Sequence, residues 1–192
     1  MPLGDSITFG DGSSHGGGYR KELWYALNSA GFGFEFVGSE RDGALPDPVH
    51  EGHSGWEIND LTERVAGWLT RWQPTVVLLH IGTNDLDRDV DVVGAPARLG
   101  ALLDTILRTR PGVILYVASI APVGSALVQR RIDAYNTEIP RLVAKRVRAG
   151  HRVHQVDIAG LLAAEADLAD ELHPNDRGYA KMAEAWFKAL IG

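Results

Sequence analysis

The stretch Thr75-Val76-Val77-Leu78-Leu79-His80-Ile81-Gly82-Thr83-Asn84-Asp85 decides the fold. From Thr75 to Ile81 it is a continuous run rich in β-branched and aliphatic side chains. A run of this kind, without alternation, is the pattern of a strand buried on both faces, as in a parallel sheet covered by helices. It ends at Gly82, where a turn begins. Val113 to Ser119 (VILYVAS) repeats the pattern. Three weaker runs complete the set of strands. Met1-Pro2-Leu3 is a short first strand, Phe34-Glu35-Phe36-Val37 a second, and Arg152 to Val156 alternates as a strand nearer the edge.

Helical periodicity fills the intervals. Tyr19 to Ala30 places Leu23, Trp24 and Leu27 on one face and stops before Gly31. Ile58 to Trp72 carries Leu61, Val65, Trp68, Leu69 and Trp72 at helical spacing. Leu99 to Arg108, Leu127 to Ala149 and Arg177 to Ile191 follow, and Pro140 is expected to bend or divide the second of these. Strands and helices alternate throughout, which predicts one α/β domain over residues 1–192. Its parallel sheet carries helices on both faces, joined by right-handed crossovers. Binding sites in such sheets lie at the carboxyl ends of the strands.

Composition narrows the function classes. Apolar residues make up 45% and charged residues 23%, enough for one sizeable core. A formal net charge of -6 argues against nucleic acid or an anionic membrane as partner. No apolar stretch is long enough to span a bilayer. With no cysteine, disulfides, thiolate nucleophiles and cysteine-held zinc are excluded together. The compartment stays open. Because Met1-Pro2-Leu3 is short for a buried strand, the chain is expected to begin inside a longer natural sequence, and secretion with a removed leader is left open.

Three short motifs carry chemistry. Gly4-Asp5-Ser6-Ile7-Thr8 follows the first strand at once, so a turn lifts Ser6 to the carboxyl edge of the sheet; read by itself, Ser6 could equally cap the next segment. Gly82-Thr83-Asn84-Asp85 ends a strand on the same edge, where the Asn84 amide could donate to an oxyanion or simply bond its own turn. Asp170-Glu171-Leu172-His173-Pro174 offers a base and, three residues earlier, a carboxylate to orient it; alone it could be an exposed loop. A serine hydroxyl is a poor nucleophile until such a base takes its proton. Together the three motifs make one constellation.

Gly4-Asp5-Ser6, Gly55, Gly82-x-Asn84-Asp85 and Asp170-x-x-His173 resemble, in order and spacing, the four blocks of the SGNH (GDSL-like) hydrolase superfamily. The resemblance spans the chain. It implies Ser6 as nucleophile, His173 as base and Asp170 as its partner. The oxyanion hole would comprise the N–H groups of Ser6 and Gly55 and the Asn84 side chain. It also implies a flavodoxin-like three-layer α/β/α sandwich with five parallel strands in the order 2-1-3-4-5. A narrower likeness, to family 3 carbohydrate esterases, is carried by MPLGDSITFG at 1–10, GGYR at 17–20, FVGS at 36–39, HEGHSGW at 50–56, HPND at 173–176 and GYA at 178–180. It implies hydrolysis of acetyl esters on xylan and related sugars. No metal or organic cofactor is implied, and the partner is a small-molecule or polysaccharide ester.

Asp5 and Trp56 are expected to contact substrate; Trp56 could stack on a sugar ring, although tryptophan is equally a core residue. Trp24, Trp68, Trp72 and Trp186 are assigned to packing. Gly12-Ser13-Ser14-His15-Gly16 matches G-x-S-x-G but lacks the strand that pattern needs upstream. Asp85, Asp87, Asp89 and Asp91 alternate without the glycine and glutamate of a calcium loop, because Val90 and Pro96 stand there. His50 and His53 are placed as hydrogen-bonding groups near the pocket, and His80 as a satisfied core histidine. Two rivals use the same fold: a thioesterase, lysophospholipase or tailoring acyl hydrolase, and a non-catalytic carbohydrate-binding protein. The complete set of Ser6, Asn84, Asp170 and His173 argues against the latter.

Overall fold

The computed structural model describes residues 1–192. In chain order the elements are β1 (Pro2–Gly4), α1 (Ser6–Phe9), α2 (Gly18–Ser29), β2 (Glu40–Arg41), β3 (Val49–Gly52), α3 (Ile58–Trp72), β4 (Val76–His80), α4 (Thr83–Asp87), α5 (Ala95–Thr109), β5 (Ile114–Ala118), α6 (Ala126–Arg148), β6 (Val153–Val156), α7 (Ala164–Asp167) and α8 (Asp176–Ile191). The sheet has six strands in the order β2-β3-β1-β4-β5-β6. Five of them are parallel, and in chain order they run 2-1-3-4-5 as the resemblance implied; β2 adds an antiparallel edge against β3.

One strand was misplaced by periodicity. Phe34 to Val37 is irregular, and Val49–Gly52 takes the second position in the parallel sheet. The alternating aromatics have another use. The rings of Phe34 and Phe36 lie 5.5 Å apart, Trp24 sits 6.3 Å from Phe34, and the Phe36 N–H donates to Asp47 Oδ2 at 2.6 Å rather than to a strand. The helix α6 is not divided at Pro140. Pro140 is exposed, so the carbonyl deprived of its N–H partner lies on the wet side of the helix.

The unbroken apolar runs are explained by two cores. Val77, Leu79, Leu115 and Val117 point to one face and pack with α3, α5 and α6. Leu78, Tyr116 and Ala118 point to the other and pack with Tyr19, Leu23, Tyr179, Met182 and Trp186 of α2 and α8. Each fully buried aliphatic side chain contributes roughly 1.5–3 kcal/mol. These layers fix the carboxyl ends of β1, β3 and β4 side by side, and the loops leaving those ends carry the candidate site. No helix is long and apolar enough to cross a membrane.

Candidate active site

The first strand can turn into α1 only at a glycine. A Cβ on Gly4 would collide with the His80 carbonyl oxygen across the sheet and lie 2.5 Å from Thr8 Oγ1. Asp5 then caps α1, its Oδ1 accepting the Ile7 N–H at 3.0 Å. Ser6 is the first helical residue. The far end of α1 is held by Arg20, which is fully buried and bonds only to carbonyl oxygens: Thr8 at 2.9 Å, Phe9 at 2.7 Å, Asp42 and Pro48 at 3.1 Å, and Gly16 at 3.3 Å. Burial pulls the Arg20 guanidinium down to about 10. It therefore stays charged at neutral pH, and charged donors make the stronger bonds.

Asp5 does not face substrate, contrary to the sequence expectation. Its side chain is fully buried, with Oδ1 on the cap and Oδ2 without a hydrogen-bond partner. Burial pushes its carboxyl up to about 7, against the pull of the Ile7 N–H and of His173.

His173 is delivered by a loop that closes on itself. Asp170 Oδ1 accepts the N–H groups of Leu172 and His173, both at 2.8 Å, and Oδ2 meets His173 Nδ1 at 2.8 Å. The Ala169 N–H returns to the His173 carbonyl, and Leu168 bridges Pro174. Asn175 closes the base of the loop, donating to Ala166 and Leu168 while capping α8. Desolvation would raise the Asp170 carboxyl, but the bonds from the His173 ring and the two N–H groups outweigh it and hold the pKa below its ordinary value. An ionised carboxylate only accepts, so Nδ1 bears a proton, and in the neutral imidazole the acceptor is then Nε2. That nitrogen lies 2.9 Å from Ser6 Oγ.

The third component is a pair of turns. Gly55 has φ +81, a left-handed conformation suited to glycine, in the turn between β3 and α3. Asn84 lies on α4, just past β4, and donates from Nδ2 to the Trp56 carbonyl at 2.8 Å. An amide nitrogen carries two hydrogens, so one remains. The N–H groups of Ser6 and Gly55 donate to no group of the protein. The His173 ring is thus within reach of the Ser6 hydroxyl, and the N–H groups of Ser6 and Gly55 and one Asn84 Nδ2 hydrogen are left without a protein acceptor.

Other expected positions resolve as follows. Trp56 packs rather than standing free: its ring stacks on His53 at 4.1 Å, His53 stacks in turn on Trp68 at 5.0 Å, and the Arg64 guanidinium lies 5.4 Å from the Trp56 centroid. His53 Nε2 meets the fully buried Glu51 at 3.1 Å, and Glu51 also accepts from Ser39 and Trp72. His80 is buried and only half satisfied, with Nε2 near the Ala121 N–H at 3.4 Å and Nδ1 unpartnered; burial lowers it to about 4. His50 is likewise buried, its Nδ1 accepting from Gly52 at 2.9 Å, and burial lowers it to about 3. Ser13 bonds Gly10 and Ser14 bonds Asp176; neither touches an imidazole. In the acidic loop, Arg98 pairs with Asp85 and Asp91, and Arg131 with Asp89. Arg88 was not singled out in the sequence, although its place four residues after Asn84 puts it on the same helical face.

Two cavities lie elsewhere. One of about 420 Å³ is lined by Met1, Phe34, Phe36, Trp72 and Val76 among others, at the amino ends of the strands. Another of about 490 Å³ lies between α5 and α6. Neither touches Ser6, Asn84 or His173. We place the chemistry with the hydrogen-bonded groups rather than with either cavity, because nucleophile and base must meet.

The chain matches the GDSL-like Lipase/Acylhydrolase family over residues 3–181 and belongs to it. Its domain is a carboxylic ester hydrolase. A solved family 3 carbohydrate esterase of Clostridium thermocellum has a TM-score of 0.90 at 38% identity, covering 100% of this chain and 98% of that one. A family 3 carbohydrate esterase from Talaromyces cellulolyticus gives 0.83 at 29%, covering 100% and 95%. A multidomain esterase of Ruminococcus flavefaciens is 32% identical over 221 residues; all of this chain aligns, and it spans 28% of that relative's length.

Proposed function

We propose that this domain removes acetyl groups from acetylated sugars of the xylan type, through an acyl-enzyme on Ser6. The observation that carries the proposal is the continuous line from Asp170 through His173 to Ser6, at 2.8 and 2.9 Å. In this mechanism His173 Nε2 takes the Ser6 proton as Oγ attacks the ester carbonyl. The developing oxyanion is met by the N–H groups of Ser6 and Gly55 and by the second Asn84 Nδ2 hydrogen. The sugar hydroxyl leaves with the proton from His173. Water, deprotonated by the same nitrogen, then releases acetate and frees Ser6. Likeness to carbohydrate esterases supports the sugar, and two features support the short acyl group. The cavities of about 420 and 490 Å³ both lie away from Ser6, so neither offers a seat there for a long chain. Each methylene left unburied also forfeits roughly 0.8 kcal/mol relative to an enzyme that binds it.

Parallel assays on acetylated xylo-oligosaccharides, p-nitrophenyl acetate and p-nitrophenyl octanoate test the proposal through kcat/KM. Acetyl esters are expected to react far faster than octanoyl. A rise toward octanoyl would favour the lipid or thioester hydrolases of this fold. Activity on p-nitrophenyl acetate alone would keep the esterase and remove the sugar.

A further inference from the structure

Three backbone groups between Gly55 and Ile58 are fastened to one short segment, residues 84–88. The Gly55 carbonyl accepts Arg88 Nη1 at 2.7 Å. The Trp56 carbonyl accepts Asn84 Nδ2 at 2.8 Å, and the Ile58 N–H donates to Asp85 Oδ2 at 3.0 Å. The Ile58–Asp85 fastening is buried and the Asn84–Trp56 one partly buried. The third is not: the Arg88 side chain is 48% exposed. Its Nη1 also lies 3.4 Å from Glu57 Oε1, and Glu57 is itself fixed by the capping box at the start of α3. The other amino group, Nη2, covers the outer side of Gly55, since a Cβ there would sit 3.2 Å from it. The Arg88 N–H donates to the Asn84 carbonyl, so one residue grips both turns that carry oxyanion donors.

We infer that Arg88 is a positioning residue for the oxyanion site: it sets the Gly55 turn against Asn84 from the solvent side. This rests on the proposed ester hydrolysis at Ser6. The physical case is one of precision. A half-exposed ion pair contributes little to stability, but an oxyanion donor displaced by a fraction of an ångström loses much of its effect on the transition state. A lysine could reach the Gly55 carbonyl but lacks the planar fork that also covers Gly55 and meets Glu57.

The test compares Arg88→Ala, Arg88→Lys and Ser6→Ala with the wild type on p-nitrophenyl acetate, with melting midpoints alongside. Arg88→Ala is expected to lower kcat by about tenfold, less than the loss of a whole oxyanion donor, with KM moved less than about twofold. Its Tm should stay within about 2 °C of wild type. Arg88→Lys should recover part of kcat, and millimolar methylguanidinium should raise kcat of Arg88→Ala but not of wild type. An unchanged kcat, or a kcat that falls only in step with Tm, overturns the role. Full activity in Ser6→Ala overturns the proposed function itself, and the Arg88 role with it.

Discussion

The loop that presents His173 is held by bonds to itself, whereas the turns that carry Gly55 and Asn84 are held by bonds to each other. In the loop, the bonds to Nδ1 and to the backbone of His173 come from within a few residues: Asp170 reaches the ring and two N–H groups, and Ala169 reaches back to His173, while only Nε2 meets a distant group, Ser6 Oγ. In the turns, the bonds run from residues 84–88 to residues 55–58, across about thirty residues of sequence. Base and orienting carboxylate thus form a module that any stable framework could present. The proposed oxyanion donors would come together only because β1, β3 and β4 lie adjacent and the loops leaving β3 and β4 are bonded to one another. Damage to the first region should be chemical, while damage to the second should be geometric and graded.

The sharpest way to break the loop without unfolding it is Asp170→Asn. The amide oxygen can still accept the Leu172 and His173 N–H groups, but the amide nitrogen donates and favours the wrong imidazole tautomer. A fall in kcat of up to about 10⁴ is expected, with a nearly unchanged melting midpoint. A loss below tenfold would mean that solvent orients His173 as well as Asp170 does. Next in size is Asn84→Ala, which removes a donor and one bond of the seam. Its kcat should drop by about 10² to 10³ with a smaller change in KM. Steady-state kinetics showing near-normal kcat would leave Asn84 as a turn residue only.

The smallest effect separates scaffold from chemistry. Asp5 lies under both regions, and burial raises its carboxyl from 3.8 to about 7. A carboxyl raised on folding contributes stability that is fully present below its unfolded value. That contribution is lost as pH rises through the folded value. Asp5→Asn keeps the cap through its amide oxygen and does not titrate. The Tm difference between variant and wild type should therefore grow in the variant's favour between pH 3.8 and about 7 and then level off. A difference that is flat with pH would show Asp5 to be ionised at no cost.

Much of this comparison could be read from sequence, for physical reasons that differ by region. Strands β4 and β5 were legible because both faces pack against helices and every position except His80 is apolar or aromatic. Ser6 and the Asp170-x-x-His173 loop were legible because their chemistry is local. The second parallel strand was not. Val49-His50-Glu51-Gly52 has one aliphatic residue, and its buried Glu51 is satisfied by neighbouring His53 and by Ser39 and Trp72, which arrive from elsewhere in the chain. The same limit hid Arg88, whose partner carbonyl is 33 residues away. Trp56 was equally ambiguous, since only the fold brings His53 and Trp68 into its stack.

The central claim is that Ser6, activated by His173, is the group that receives the acyl chain. Incubation with a phosphonate or sulfonyl fluoride, followed by mass spectrometry of the digested protein, tests it most directly. The account predicts a single covalent adduct on Ser6, abolished in His173→Ala. Label on Ser13 or Ser14 would contradict it and return the nucleophile to the glycine-rich loop at 12–16.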